Sequence, residues 1–443
     1  MTHGRSDTHD ERATTTVKTP WGDAATLRER KLTPGRRLPH DEVARNQRER
    51  LYAALVAVVA EKGYEATRVA DLLELSGVSR SAFYEHFSDK EECLLAALRA
   101  FAAPATRMVV DQGDRPPSRE LERAAFENAI HLIVDQAPAA RLWFVETYAA
   151  GPQAVEAIDQ ARDAFQAFVV ETMKGMPGHE PLPPELLRAL IGGILKIIHT
   201  RLYRGEEEQL LDLIPQMWDW ALAYESSPPA LLRRPRNRPP EGADQGAYEP
   251  AQRILRALAS VVAEKGYPAM TVNDVASRAS ISLSTFYSHF ADKEEAMLAA
   301  VDSGSAQMLA TTLPAFRRAP DWSHAVRGGL GAMLAFCAAE PDFTKLGAID
   351  VYAAGRRVLE RRDEVITGME TLLAPGYELN PEASPIAGEA IGGAIYALIY
   401  DQVRRGRTEN LQELAPLATY VALVPFIGTA EACAVANGDG RGR

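Results

Sequence analysis

The chain is poor in several features whose absence narrows its function. Cysteine is scarce: Cys93, Cys337 and Cys433 are the three in 443 residues, and none belongs to a CxxC pair. That spacing argues against a disulfide framework and a zinc knuckle, and ordinary reduced thiols are expected. No apolar run of about 18 residues occurs, so no transmembrane helix is expected. The opening residues, MTHGRSDTHDERATTT, are polar and lack the apolar stretch of a signal peptide, which makes a cytoplasmic protein the expectation. Convincing strand-like alternation is missing as well. HExxH, GxSxG and P-loop patterns are absent, and the cluster Gly328-Gly329-Leu330-Gly331 follows no strand. His131 and His199 stand alone in helical contexts. Neither an enzyme, a metal site nor a cofactor is expected. Positive charge is also short: 49 Lys and Arg against 60 Asp and Glu leave a net charge of −11. Since basic patches supply most phosphate affinity, that balance argues mildly against nucleic acid, although a reading surface can be locally basic on an acidic protein.

What the chain does have is a repeat. VVAEKGY at Val58–Tyr64 recurs at Val261–Tyr267, a shift of 203, and the same shift carries FYEHFSDKEE from Phe83 onto FYSHFADKEE from Phe286. Weaker echoes follow. Tyr148-Ala149-Ala150-Gly151 is matched by Tyr352-Ala353-Ala354-Gly355, Ile191-Gly192-Gly193 by Ile391-Gly392-Gly393, and Leu210, Leu213 and Pro215 by Leu411, Leu414 and Pro416. Slight drift of the shift is what loop insertions produce. A domain of some two hundred residues has been duplicated and fused.

The expected division is a disordered basic arm over 1–44, a first helix-turn-helix domain over 45–101 and a first helical domain over 102–225. A Pro- and Arg-rich linker over 226–249 leads to a second helix-turn-helix domain over 250–302, a second helical domain over 303–427 and a flexible tail over 428–443. The arm carries Arg28, Arg30, Lys31, Arg36 and Arg37; a solubilising tail and a DNA-gripping arm both fit it.

Fold class is read as all-α. Leu51, Leu55, Val58 and Val59 fall on one helical face, as do Ile254, Leu258, Val261 and Val262, and Gly63 and Gly266 then end these helices. Each copy continues with a short helix, a tight turn, a second short helix and an aromatic exit. Val69, Leu72 and Leu73 supply the core face of the first short helix in one copy, Val275 and Ala276 in the other. Thr271 and Asp274 have capping-box spacing, and Ser79 and Ser282 stand where they would N-cap the second short helix. Two short helices so joined form a helix-turn-helix, whose second helix enters the DNA major groove.

These residues resemble the amino-terminal module of the tetracycline-repressor-like (TetR) family over about 50 residues in each half. The resemblance is carried by Gly77, Val78, Ser79, Phe83, Tyr84, His86, Phe87, Lys90, Glu91 and Glu92. In the second copy it is carried by Thr271, Ala276, Ala279, Ser282, Phe286, Tyr287, His289, Phe290, Lys293, Glu294 and Glu295. Arg68, Leu73, Ser280 and Leu283 depart from the family pattern. The resemblance implies that Tyr84, Tyr287, His86, His289, Lys90 and Lys293 meet phosphates, the lysines helped by a helix N-terminus. It implies base reading by Arg80, Ser81 and Ala82 in one copy and Leu283, Ser284 and Thr285 in the other, with Thr271 among the DNA-facing residues. Arg80 suits guanine and Leu283 a thymine methyl. Phe83, Phe87, Phe286 and Phe290 are read as core.

The resemblance further implies a sequence-specific transcriptional regulator, a ligand-responsive repressor with a small-molecule effector, acting on an imperfect palindrome of double-stranded DNA. The last two helices of each half would pair as an intramolecular pseudo-dimer, with Gly192-Gly193 and Gly392-Gly393 admitting close helix approach. No effector-pocket residue follows from the sequence. Trp143, Phe144, Tyr148, Phe336, Phe343 and Tyr352 are read as packing residues before ligand contacts, and any effector as apolar or amphipathic. The competing reading is an architectural or partner-dependent DNA-binding factor without a small-molecule ligand.

Overall fold

A computed structural model describes residues 17–32, 39–110, 118–174, 182–224 and 249–438. The linker over 226–248, Arg36, Arg37 and the end of the tail lie outside the described residues.

The fold is all-α, as the periodicities require. The first half runs through α1 (His40–Ala66), α2 (Val69–Ser76), α3 (Arg80–His86), α4 (Lys90–Val110), α5 (Arg119–Asp135), α6 (Ala137–Phe144), α7 (Pro152–Lys174), α8 (Pro184–Arg204) and α9 (Gln209–Leu222). The second half answers with α10 (Pro250–Lys265), α11 (Val272–Ala279), α12 (Leu283–His289), α13 (Lys293–Arg317), α14 (Trp322–Ala339) and α15 (Pro341–Ala348). It ends with α16 (Arg356–Glu370), α17 (Ala374–Leu379), α18 (Ala387–Arg404) and α19 (Ala415–Asn437). Leu51, Leu55, Val58 and Val59 are buried, as are their counterparts Ile254, Leu258, Val261 and Val262. Gly63 (φ 76) breaks α1 and Gly266 (φ 77) ends α10, both in backbone that favours glycine.

Three boundaries differ from expectation. Residues 17–32, assigned to a disordered arm, are folded: β1 (Lys18–Thr19) pairs antiparallel with β2 (Gly22–Asp23), and a 3-10 turn over Ala24–Thr26 follows. The surface this hairpin packs on differs between the halves. Ala53, Ala54, Ala57 and Leu75 form an apolar strip that takes Leu27 and Trp21. At the matching positions the second half has Arg256, Ala257, Ser260 and Arg278, and there Arg278 bonds Ser260 and Glu264 instead. Arg28 of the arm donates to the Glu74 carbonyl and Arg30 to that of Trp21, so both are engaged within the protein.

The second difference is the boundary between the modules and the helical domains. It falls inside continuous helices, because α4 spans residues 101 and 102 and α13 spans 302 and 303. The third is the tail. After a break at Gly428 (φ 75), α19 continues to Asn437 with Ala432, Cys433, Val435 and Ala436 buried. Thr408–Asn437 is long and apolar enough to cross a membrane, yet 61% of its most apolar stretch is buried inside the protein, as in a core helix.

The two helical domains share one apolar core. At its centre α8 crosses α18. A Cβ on Gly193 would stand 2.6 Å from the Ala390 carbonyl oxygen, and one on Gly393 would stand 2.9 Å from that of Gly192, so the crossing needs glycine for its closeness. Gly392 lies elsewhere, against Glu370 and Ile366 of α16. Ion pairs flank the crossing: Arg201–Glu389 and Arg188–Asp401 at 3.0 Å, and Arg404–Asp163 at 2.6 Å. Tyr224 adds a buried hydrogen bond to the Val421 carbonyl at 2.7 Å.

Candidate nucleic-acid interface

Each helix-turn-helix is built by local chemistry. In α2 the turn after Ser76 passes through Gly77 in the left-handed region (φ 64). Ser280 takes the same conformation (φ 54, ψ 48) after α11, the one non-glycine residue at positive φ among those described. Ser79 Oγ then accepts from the Ala82 N–H at 3.2 Å and Ser282 Oγ from the Thr285 N–H at 3.0 Å, which starts α3 and α12 in the same way. Thr271 and Asp274 form the expected capping box, so the Thr271 hydroxyl is occupied in starting α11. Asp71 and Asp274 receive ion pairs from Lys62 (2.6 Å) and Lys265 (2.7 Å). The Lys265 and Thr271 bonds hold the Asp274 carboxyl at about 2. In the first copy Arg50 and Arg28 close the end of α2 by donating to the Ser76 and Glu74 carbonyls at 2.9 Å, where a cation also favours the helix dipole.

Phe83, Phe87, Phe286 and Phe290 are buried and anchor the two recognition helices. Their opposite faces are open: Tyr84 is 49% exposed, Tyr287 56% and Leu283 42%, three of the five large apolar side chains exposed among the described residues. Arg80, Ser81, Glu85 and Ser284, Ser288 share these faces. The Arg80 guanidinium lies 5.8 Å from the Tyr84 ring centre.

Five expected contact residues are engaged within the protein. Ala82, expected to face a base, is only 9% exposed and belongs to the core. Thr285, its counterpart, is half-buried, with its hydroxyl 2.9 Å from Ser282 Oγ. Glu85 and Ser288 hold the outward positions that the sequence reading missed; spacing of i, i+4 from Ser81 and Ser284 was the available signal. Lys90, expected on phosphate, points its Nζ at the carbonyls of Tyr64 (2.8 Å), Thr67 (2.9 Å) and Glu65 (3.4 Å) and lies over the Tyr64 ring. All three donors are spent, and burial lowers its pKa. Lys293 similarly sits 4.6 Å from the Tyr267 ring centre. At the N-termini of α4 and α13 one N–H is already capped. Asp89 accepts from the Glu92 N–H and Asp292 from the Glu295 N–H, both at 2.8 Å. His86 is half-buried with Nε2 2.8 Å from Gln47 Oε1, and burial lowers its pKa, which favours the neutral ring. His289 is exposed.

Behind each module lies a cavity. The first, of about 720 Å³, is lined mainly by apolar groups and includes Trp143, Phe144, Tyr148 and, from the other half, Tyr352. The second, of about 220 Å³, is lined by Phe336 and Phe343 among others. All six aromatics read from sequence as packing residues therefore face cavities. Phe101 and Ala102 of α4 line the first cavity, and Ala300, Val301 and Gly304 of α13 the second. One continuous helix in each half thus runs from cavity to reading head.

Comparison with known proteins matches both helix-turn-helix segments. The model of the bacterial regulatory proteins of the tetR family matches twice, at residues 51–97 and 254–301. The chain is similar to the HTH-type transcriptional activator FasR of Mycolicibacterium smegmatis, 31% identical over 153 residues that cover 33% of this chain and 65% of FasR. It is also similar to the HTH-type transcriptional repressor AcnR of Corynebacterium glutamicum, 38% identical over 68 residues covering 15% of this chain and 36% of AcnR. The fatty acid degradation regulator FadR from Bacillus halodurans superposes with a TM-score of 0.37 at 19% identity, covering 39% of this chain and 97% of FadR.

Proposed function

From a chain that is a tandem TetR-like protein, with two amino-terminal domains of the bacterial TetR regulatory family, we propose a sequence-specific DNA-binding transcriptional regulator. It is a ligand-responsive repressor acting in the cytoplasm through two non-identical reading heads. The observation that carries this reading is the pair of recognition helices. Each is pinned by buried phenylalanines and presents an exposed tyrosine, but the outward residues differ. Arg80, Ser81 and Glu85 face outward in the first head, and Leu283, Ser284 and Ser288 in the second.

Tyr84 and Tyr287 present phenolic hydroxyls to backbone phosphates, with His289 beside the second. Arg80 reads guanine in one half-site, whereas Leu283, which neither donates nor accepts, reads a thymine methyl in the other. The crossing of α8 and α18 supports an intramolecular pseudo-dimer that sets both heads on one DNA face. Covalent joining raises the effective concentration of one half near the other to roughly the millimolar range. The linker of about 24 residues can reach roughly 80 Å. The continuity of α4 and α13 supports ligand response, since filling a cavity bears on the helix that ends at the reading head.

Selection from random DNA tests the reading. Two unlike half-sites are expected, with recognition helices about 34 Å or a multiple apart, bound by a single 48.4 kDa chain in solution. Arg80→Ala relaxes preference in one half-site only. A perfect palindrome, or a dimeric mass by light scattering, overturns the proposal.

A further inference from the structure

The first cavity is not made by the first half alone. Its apolar wall comes from α5 to α9, including Phe126, Ile130 and Trp218, whereas Tyr352, Arg362, Asp363 and Tyr396 reach it from the second half. Arg362 is 8% exposed, and its guanidinium carbon lies 4.9 Å from the ring centres of both Tyr352 and Tyr396. Asp363 Oδ1 is 3.2 Å from Arg362 Nε, yet Nε makes no hydrogen bond. The same carboxylate is 3.7 Å from Lys196 Nζ of α8. A buried cation, Arg362, and a half-buried one, Lys196, therefore share one carboxylate at the cavity wall. His199, beside them, adds no further positive charge: burial holds its pKa at about 4, so the ring is neutral.

An unmatched buried cation is costly unless an anion completes its pairing. Tyrosine faces and a hydrogen bond with Tyr352 relieve part of that cost, and Nε is left without a partner. Phe165, also on the cavity wall, is an apolar side chain 44% exposed. We propose that this composite cavity binds one amphipathic organic anion per chain, its apolar body among the first half's aromatics and its acidic group at Arg362 and Lys196. The inference rests on the ligand-responsive reading and names the class of ligand. Because the first half supplies the body site and Lys196 while the second supplies Arg362, occupancy reports on the seating of the halves. Arg362 and Tyr396 also line the second cavity, but Lys196 and Asp363 line the first and not the second, and the repeat does not copy the set: aligning Gly151 with Gly355 and Ile191 with Ile391 places Ile158 opposite Arg362 and Lys196 opposite Tyr396.

Two fluorescent dyes with the same aromatic body test this on the full chain: anilinonaphthalene sulfonate and the uncharged phenylnaphthylamine. One sulfonate is expected to bind per chain, at least tenfold tighter than the neutral dye. Arg362→Met abolishes the preference while neutral-dye affinity is kept, which shows that the cavity persists, and Arg362→Lys retains it. Should Arg362→Met fail to fold, Lys196→Gln decides, with a preference reduced at least threefold. Equal affinity for both dyes, no binding of either, or a preference that survives Arg362→Met and Lys196→Gln overturns the inference. DNA binding is measured in parallel. Failure to bind any selected DNA counts against the regulator reading and leaves the dye result standing, and dye binding that leaves DNA affinity unchanged counts against ligand response alone.

Discussion

Tyr148 and Tyr352, which occupy the same position in the two repeats, stack on each other with ring centres 4.1 Å apart and planes inclined by 20°. A duplicated residue meeting its own copy marks where the halves face each other. Arg162 donates to the Tyr148 hydroxyl at 3.0 Å, and the Tyr396 hydroxyl stands 3.0 Å from that of Tyr352, so both rings are held from behind. A double-mutant cycle of Tyr148→Leu and Tyr352→Leu, followed by chemical denaturation, should give a coupling of about 0.5–1.5 kcal/mol. Strict additivity would show that the stack contributes nothing specific.

The helix crossing should be less tolerant than the stack. Gly193→Ala sets a methyl against the Ala390 carbonyl and the Trp220 ring. Overpacking of this kind costs about 1–3 kcal/mol. The lower melting temperature should come with faster proteolysis of the helical domains, while the helix-turn-helix domains stay protected from hydrogen exchange.

Ser280 and Gly77 offer an exchange experiment. Left-handed backbone costs a side-chain-bearing residue about 1–2 kcal/mol, against about 0.5–1 kcal/mol for the flexibility of glycine. Ser280→Gly should therefore stabilise the second module by about 0.5–1 kcal/mol. Gly77→Ser should destabilise the first, because its Cβ would also stand 3.2 Å from Arg28 Cγ. Equal effects of opposite sign would mean that Arg28 yields freely.

Lys90→Met should act on stability and not on the salt dependence of DNA binding. Three carbonyls at the end of α1 lose their donor, a change of about 1–3 kcal/mol, whereas loss of a phosphate contact would flatten the slope of log affinity against log salt by about 0.9. A flattened slope with unchanged melting would return Lys90 to the DNA.

The carboxyl of Glu370 in α16 is pushed up to about 7, chiefly by burial and then by Glu389, with Lys196 and Arg204 opposing. Its folded pKa is thus above the ordinary 4.5. The folded state binds the extra proton, so this group's contribution to stability is full below about pH 4.5 and is lost as pH rises through about 7. Glu370→Gln should raise the melting temperature at pH 8 and leave it nearly unchanged at pH 5. The same increment at both values would show that ionisation is not the cause.

The amino-acid sequence by itself determined the duplication, the all-α class, the turns at Gly77 and Ser280, the serine caps and the buried phenylalanines. Each is written within a few residues: apolar spacing, a cap beside its helix, a backbone conformation set by one side chain. Even the missed outward residues, Glu85 and Ser288, obey that short-range rule; Ala82 was misassigned because one turn of a seven-residue helix carries both a core edge and a reading face.

Tertiary structure decided what long-range contacts decide. Whether Lys90 meets phosphate or protein depended on carbonyls 23 to 26 residues away. Whether residues 17–32 fold depended on an alanine strip on α1. The pairings of Arg201 with Glu389 and Tyr400 with Asp159 join residues 188 and 241 positions apart. So does the composite cavity, whose apolar wall and Lys196 come from the first half and whose Arg362 comes from the second. Such partners have no fixed spacing along the chain, so no local pattern announces them; only the packing of one half on the other brings Arg362 to a cavity that the first half began.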